Sequence, residues 1–411
     1  MVSAYFLTPL LLLAGCGGVV AVPQAAVTLE PGVPWEVPVR EAWPTEAWPQ
    51  ATPEEVGLDP QALQRLVDYG FRRDGDEVDR KGQRTNALLI VKDGKLVVER
   101  YARGYTGDTP MLTWSVSKSM SSTIFGAAVM DGLVDVNQTA CHYYEPMCRP
   151  GHDAVRVTDL LRMSSGIQWD ETYETSPIFS SVMAMLYTRG SHDMPAFVAR
   201  QPMAFWPGIH WSYSSGDANV GMAVLRGAIG NADRYHAYPW ERVFDPIGMK
   251  DVTFERDGSG TFVGSSYLYA RPPDLARWLW LILNDGTWDG RRILAPGWVR
   301  YLRTMAPAYY TTPVSRASRE DNPGAWWYVN LGDPERDIAP PWPDFPSDAF
   351  GAEGHWGKYL WVIPSWDMVV VRLGDDREYG CAYAWQTDCV KDPNKAFTIT
   401  LFQKLLAQAV K

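Results

Sequence analysis

A serine three residues ahead of a lysine, Ser115 and Lys118, opens a run from Trp114 to Met130 in which Lys118 is the only charged residue. Residues three apart on a helix share a face, so this hydroxyl and this amine would meet. Val116, Met120, Ile124 and Ala127 recur at helical spacing, and most other positions are Ser, Gly or Ala. The spacing predicts a buried helix with an amine carried into the interior. Desolvation disfavours a charged lysine and can lower its pKa by up to about 3–5 units. A neutral amine beside a hydroxyl makes a serine nucleophile. A bare Ser-x-x-Lys arises by chance on the order of once in a chain this long. Here it is the only one, and two further segments with matching chemistry follow in order.

The first is Trp211-Ser212-Tyr213-Ser214-Ser215-Gly216-Asp217, after Pro207-Gly208 and before a helical pattern. On a loop facing the nucleophile, Tyr213 could pass a proton to a leaving group, with Ser215 beside it as a substrate contact. Tyr328-Val329-Asn330 matches Tyr-x-Asn more literally, but it lies in the strand-like run Trp326 to Asn330 and is read as core. The second segment is Gly354-His355-Trp356-Gly357-Lys358, just before the strand Tyr359 to Ile363. Gly357 would let substrate lie against a strand edge. The N–H groups of Lys358 and Ser115 could form an oxyanion hole, in which losing one donor costs about 3 kcal/mol. His355 is read either as a substrate contact or as a structural histidine.

These residues need a frame. Ala87 to Tyr101 holds two apolar runs around Asp93-Gly94, a hairpin signal. Helical patterns and loops dominate from Ser115 to about Trp298. Strand-like runs return at Trp326 to Asn330, Lys358 to Ile363 and Met368 to Leu373, and amphipathic helices stand at Pro53 to Tyr69 and Lys395 to Val410. The expected fold is mixed α and β: one antiparallel sheet flanked by terminal helices, with a helical lobe inserted between the hairpin and the later strands.

A formal charge of −10 without any Lys/Arg cluster argues against a nucleic-acid partner. No metal-ligand spacing occurs among the His and Cys residues, and no glycine-rich nucleotide motif or Gly-x-Ser-x-Gly elbow is present, so no cofactor is expected. The 19 tryptophans, with Trp114, Trp169, Trp211 and Trp356 next to the motifs, suggest an aromatic-walled cleft. Phe6 to Ala14 is apolar but too short to span a bilayer, and it leads into Leu13-Ala14-Gly15-Cys16. This resembles the lipobox of bacterial lipoproteins, although no Lys or Arg precedes Arg40. Export is therefore expected, to the periplasm or cell surface, with a lipid on Cys16 as the only membrane attachment. The reading is a signal peptide over 1–16, a flexible tether over 17–52 and one domain over 53–411. Cys141, Cys148, Cys381 and Cys389 form an even set with three possible pairings, of which Cys141 to Cys148 and Cys381 to Cys389 are the simplest.

Together the three motifs resemble those of the serine β-lactamase and penicillin-recognising superfamily, in its class C-like branch of esterases, D-alanyl-D-alanine carboxypeptidases and 6-aminohexanoate-dimer hydrolases. Leu160-Leu161-Arg162-Met163-Ser164-Ser165-Gly166 and Phe244-Asp245-Pro246-Ile247-Gly248-Met249 carry the same likeness. The resemblance implies a β-lactamase/transpeptidase-like fold with a helical lobe over about 115–298. It also implies acylation of Ser115 with Lys118 as base, a proton relay through Tyr213, and a small-molecule ester, amide or peptide as substrate. His355-Trp356-Gly357 departs from the Lys-Thr-Gly of true β-lactamases, which points away from classical β-lactam hydrolysis. Trp169-Asp170-Glu171-Thr172-Tyr173 is similar to the loop on which the dimer hydrolases carry a substrate-contacting tyrosine, here Tyr173. Two alternatives stay open: an envelope protein that binds ligands without turnover, and a D-alanyl-D-alanine carboxypeptidase.

Overall fold

Asp93 and Gly94 sit at positive φ (52° and 78°) and turn the chain between β1 (Thr85–Lys92) and β2 (Lys95–Tyr101), which pair antiparallel. The computed structural model describes residues 25–72, 83–173, 178–313, 323–376 and 399–410. Four later strands complete the main sheet: β3 (Tyr328–Val329), β4 (Phe350–Gly354), β5 (Lys358–Ile363) and β6 (Met368–Gly374). Their order is β2-β1-β6-β5-β4-β3, so the first hairpin joins the last strand across the long insertion.

Side chains alternate across the sheet with period two. Leu88 and Ile90 of β1 join Leu63 and Leu66 of α1 (Pro60–Gly70) and Phe402 and Leu406 of the last helix, Ile399–Ala409, on one face. Ala87, Leu89 and Val91 turn to the other face, where the helix Pro272–Leu283 packs against β1, β5 and β6. That helix belongs to the layer covering the sheet, so the inserted lobe closes before Pro272 and not near residue 298.

The tether reading does not hold for residues 25–52. Arg40 grips Asp367 with two bonds of 2.6 Å, donates from Nε to Asn284 Oδ1 at 2.8 Å and lies 4.2 Å over the Trp280 ring. Trp48 is buried, its ring 6.2 Å from that of Trp280. The segment lacks periodicity because it lies irregularly along the body, held by single side chains. Replacing Arg40 by alanine would strand a largely buried Asp367, and a loss of about 2–3 kcal/mol is expected from urea midpoints.

Within the lobe, α2 (Val116–Met130) is buried as its composition predicts. Its hydroxyls and small residues meet tryptophans. Trp298 Nε1 donates to Ser122 O at 2.9 Å, Trp327 Nε1 to Ser122 Oγ at 3.0 Å and Trp278 Nε1 to Thr123 Oγ1 at 2.9 Å. A Cβ on Gly126 would lie 2.3 Å from Trp298 Cδ1. Much of the tryptophan content is thus helix packing, with indole N–H groups satisfying a polar buried helix. Asn330 of the literal Tyr-x-Asn is also structural: its amide nitrogen donates to the carbonyls of Trp342, Phe345 and Pro346 at 2.9–3.1 Å. Cys141 and Cys148 form a disulfide. Cys16, Cys381 and Cys389 lie outside the described residues.

Candidate active site

Ser115 stands at the N-cap of α2, where a serine hydroxyl ordinarily accepts a backbone N–H, yet its side chain makes no capping bond. It faces Lys118 instead, with Nζ 3.0 Å from Oγ. The residue before it, Trp114, holds a left-handed φ of 50°, uncommon for a bulky side chain and a mark of a constrained turn at a functional position. Lys118 is 1% exposed. Its other contacts are Ser265 O at 3.1 Å and the Tyr213 ring at 4.8 Å, and none of these partners among the described residues is a carboxylate. Asn219 fixes that Ser265 carbonyl from below, accepting from Ser265 N at 3.3 Å and donating to its Oγ at 3.2 Å. The nucleophile candidate, the amine and Tyr213 therefore converge.

Tyr213 precedes α3 (Ser215–Ile229), capped by Ser214, whose Oγ accepts from Asp217 N at 2.9 Å. Asp217 is buried, and Ser165 Oγ donates to it at 2.7 Å. Burial pushes its carboxyl up to about 7 from its ordinary 3.8. Between those values the folded chain keeps a proton that the unfolded chain releases, so stability falls as pH rises through that window, by about 4 kcal/mol in all. Asp217→Asn is expected to flatten the fall, read as urea midpoints at pH 5 and pH 8.

The third segment is placed differently from the sequence reading. Lys358 lies on β5, an interior strand, paired with Gly354 on one side and Leu373 on the other, and its Nζ donates to Gly374 O at 2.6 Å. Its N–H belongs to the sheet and does not look onto Ser115. The element beside Ser115 is the end of β4: a Cβ on Gly354 would lie 2.3 Å from Thr113 O and 3.4 Å from Ser115 N. β3 covers β4 only at Phe350 and Gly351, so among the described residues no strand pairs with the outer edge beyond. Asn330 N donates to Ala349 O at 3.0 Å, which fixes Ala349 as outward-bonding. By alternation Gly351 and Glu353 also turn their backbone outward, and His355 opens the turn directly beyond that edge. Gly357, at φ 79°, serves the turn between β4 and β5, its carbonyl accepting from Arg372 Nη1 at 2.8 Å.

The walls are aromatic, as the tryptophan spacing suggests. The Trp114 ring meets His355, Trp356 and Tyr267 at 5.9, 5.5 and 6.2 Å, and His355 stacks on Tyr173 at 5.6 Å. Tyr173 donates its hydroxyl to Glu171 Oε1 at 3.0 Å. Glu171 also accepts from Ser215 N at 2.9 Å, Ser215 Oγ at 2.5 Å and Trp169 Nε1. Burial first, and the Glu171 charge next, push the Tyr173 phenol well above its usual range, so it remains a donor. Sequence reasoning named Ser215 and Tyr173 but missed Glu171. The signal was Trp169, Glu171 and Tyr173 at period two, which puts three polar tips on one side of an extended loop.

No His/Cys/Asp/Glu cluster able to hold a metal occurs among the described residues, and no helix among them is long and apolar enough to cross a membrane.

Relatives carry the same frame. A 6-aminohexanoate-dimer hydrolase of Paenarthrobacter ureafaciens is 23% identical over 303 residues, covering 70% of this chain and 72% of that protein. The structure of a family VIII carboxylesterase superposes with a TM-score of 0.58 at 17% identity, covering 85% of this chain and 96% of the other. A penicillin-binding protein homologue from Caulobacter crescentus gives 0.55 at 16% identity, with 77% and 91% covered. At these identities the two structures establish the shared fold. The Beta-lactamase family model matches residues 71–378, a span that takes in the hairpin, α2 with its Ser-x-x-Lys and the last strands of the sheet, and the chain therefore belongs to the beta-lactamase family.

Proposed function

We propose that this protein is a serine hydrolase that cleaves an ester or amide of a small molecule through an acyl-enzyme on Ser115. The observation that carries the reading is the 3.0 Å approach of Lys118 Nζ to a Ser115 hydroxyl free of capping duty. Ser115 Oγ attacks the substrate carbonyl and its proton passes to Lys118. The carbonyl oxygen becomes an oxyanion received by the N–H of Ser115 and by that of His355, at the end of the strand beside it. The bond to the leaving group then breaks, with Tyr213 returning a proton to the departing oxygen or nitrogen. Water attacks the Ser115 ester by the reverse sequence, releasing a carboxylic acid and restoring the serine.

The relatives support hydrolysis of an ester or amide; the aromatic walls favour an apolar group next to the scissile bond. Turnover of short-chain p-nitrophenyl esters that disappears in Ser115→Ala is the expected result, and turnover surviving in that variant would end the reading. Export belongs to the same proposal and draws support from the Cys141–Cys148 disulfide. Protein recovered from the periplasm should show no free thiol at either cysteine on alkylation and mass mapping.

A further inference from the structure

Glu171 ties the Tyr173 loop to the segment that carries Tyr213. Its Oε1 accepts from Ser215 Oγ and from the Tyr173 hydroxyl, and its Oε2 accepts from Ser215 N and Trp169 Nε1. All four neighbours are placed to donate to it, two of them N–H groups on Oε2 that cannot reverse, which is the pattern an ionised carboxylate takes. None of these partners is a cation. Its charge is met by hydrogen bonds and by the amino end of the 15-residue α3, whose first residue is Ser215. As a carboxylate it places a negative charge beside Tyr173 and Ser215, and among its partners in the described residues that charge is met by dipoles alone. Through Ser215 it is two residues from Tyr213, whose ring touches Lys118 Nζ at 4.8 Å, and through Tyr173 it reaches the His355 ring.

A fixed anion in a partly desolvated wall acts over several ångströms more strongly than one in water. It also occupies the helix end that would otherwise receive a substrate carboxylate. We propose that Glu171 sets the charge selectivity of the cleft, admitting esters or amides whose distal group is neutral or cationic and turning away those that carry a carboxylate. This rests on the serine-hydrolase reading above and adds the class of substrate. Discrimination then comes from repulsion of the wrong partner, a role that packing alone would not give.

The test uses three p-nitrophenyl esters of one seven-carbon acyl chain, ending in methyl, carboxylate or trimethylammonium, with kcat/KM measured for each. The full chain is expected to hydrolyse the methyl and trimethylammonium esters at least tenfold more efficiently than the carboxylate ester. Glu171→Gln should compress that ratio to within about threefold, chiefly by raising kcat/KM for the carboxylate ester relative to the others. Glu171→Asp, which keeps the charge, should retain the ranking even if every rate falls. A structural role alone would lower all three rates together in both variants and leave the ranking untouched, and that result overturns the proposal. So does a full chain that takes the carboxylate ester as readily as the methyl ester with Ser115-dependent turnover, an outcome that leaves the hydrolase reading standing. If the Gln variant does not fold, the ranking in the unmodified chain decides. Absence of Ser115-dependent turnover on all three esters overturns both.

Discussion

Lys118→Met is expected to lower ester turnover by about a thousandfold or more while leaving the chain as stable as before, or slightly more stable. The catalytic loss follows from removing the base in contact with Ser115 Oγ, since a positioned general base contributes about 10²- to 10⁴-fold and acts as a unit with its nucleophile. The stability expectation follows from burial. Lys118 is 1% exposed, with no carboxylate among its partners in the described residues, and methionine fills nearly the same space without an amine to desolvate. A side chain retained for packing would give the opposite pattern, stability lost and activity kept. Steady-state kinetics and a urea midpoint on the same preparation separate the two.

The second large effect belongs to Gly354. A Cβ there would stand 2.3 Å from Thr113 O, a backbone atom that cannot swing aside, and 3.4 Å from Ser115 N. The end of β4 would have to move away from Ser115, carrying the His355 N–H with it. Losing one oxyanion donor costs about 10²- to 10³-fold in kcat, so Gly354→Ala should fall by about a hundredfold in kcat with a much smaller change in KM. Gly132→Ala makes a fair comparison. Gly132 has a φ of 70° and open space around its Cβ position, just beyond the far end of α2, so its substitution should cost some stability and little activity. A Gly354→Ala variant as active as the unmodified chain would return the oxyanion role to another strand.

The hairpin, α2 and its Ser-x-x-Lys, β5 and β6 were legible, since each combines a clear period with a turn or cap residue. β4 was not. Its residues, Phe350-Gly351-Ala352-Glu353-Gly354, include two glycines and an alanine, none is β-branched, and the apolar alternation is missing. It is a strand because β5 pairs with it along its whole length. Without β4, the motif next to a visible strand was assigned one strand too far into the sheet, at Lys358. The segment over 25–52 was misread for a related reason: it has no period to see, and the clues were Trp35, Trp43, Trp48 and Arg40, single anchors whose partners lie more than 200 residues away. Glu171 was hidden because a carboxylate on a loop reads as solvated until the four donors around it are known.

The most direct test of the central claim is the intact mass of the soluble chain mixed with a p-nitrophenyl ester and quenched within seconds, beside Ser115→Ala. The account predicts a transient gain of one acyl group that maps to the peptide carrying Ser115, decays with release of the acid, and is absent from the alanine variant. An adduct on another residue, or product released at the same rate by the variant, would contradict it.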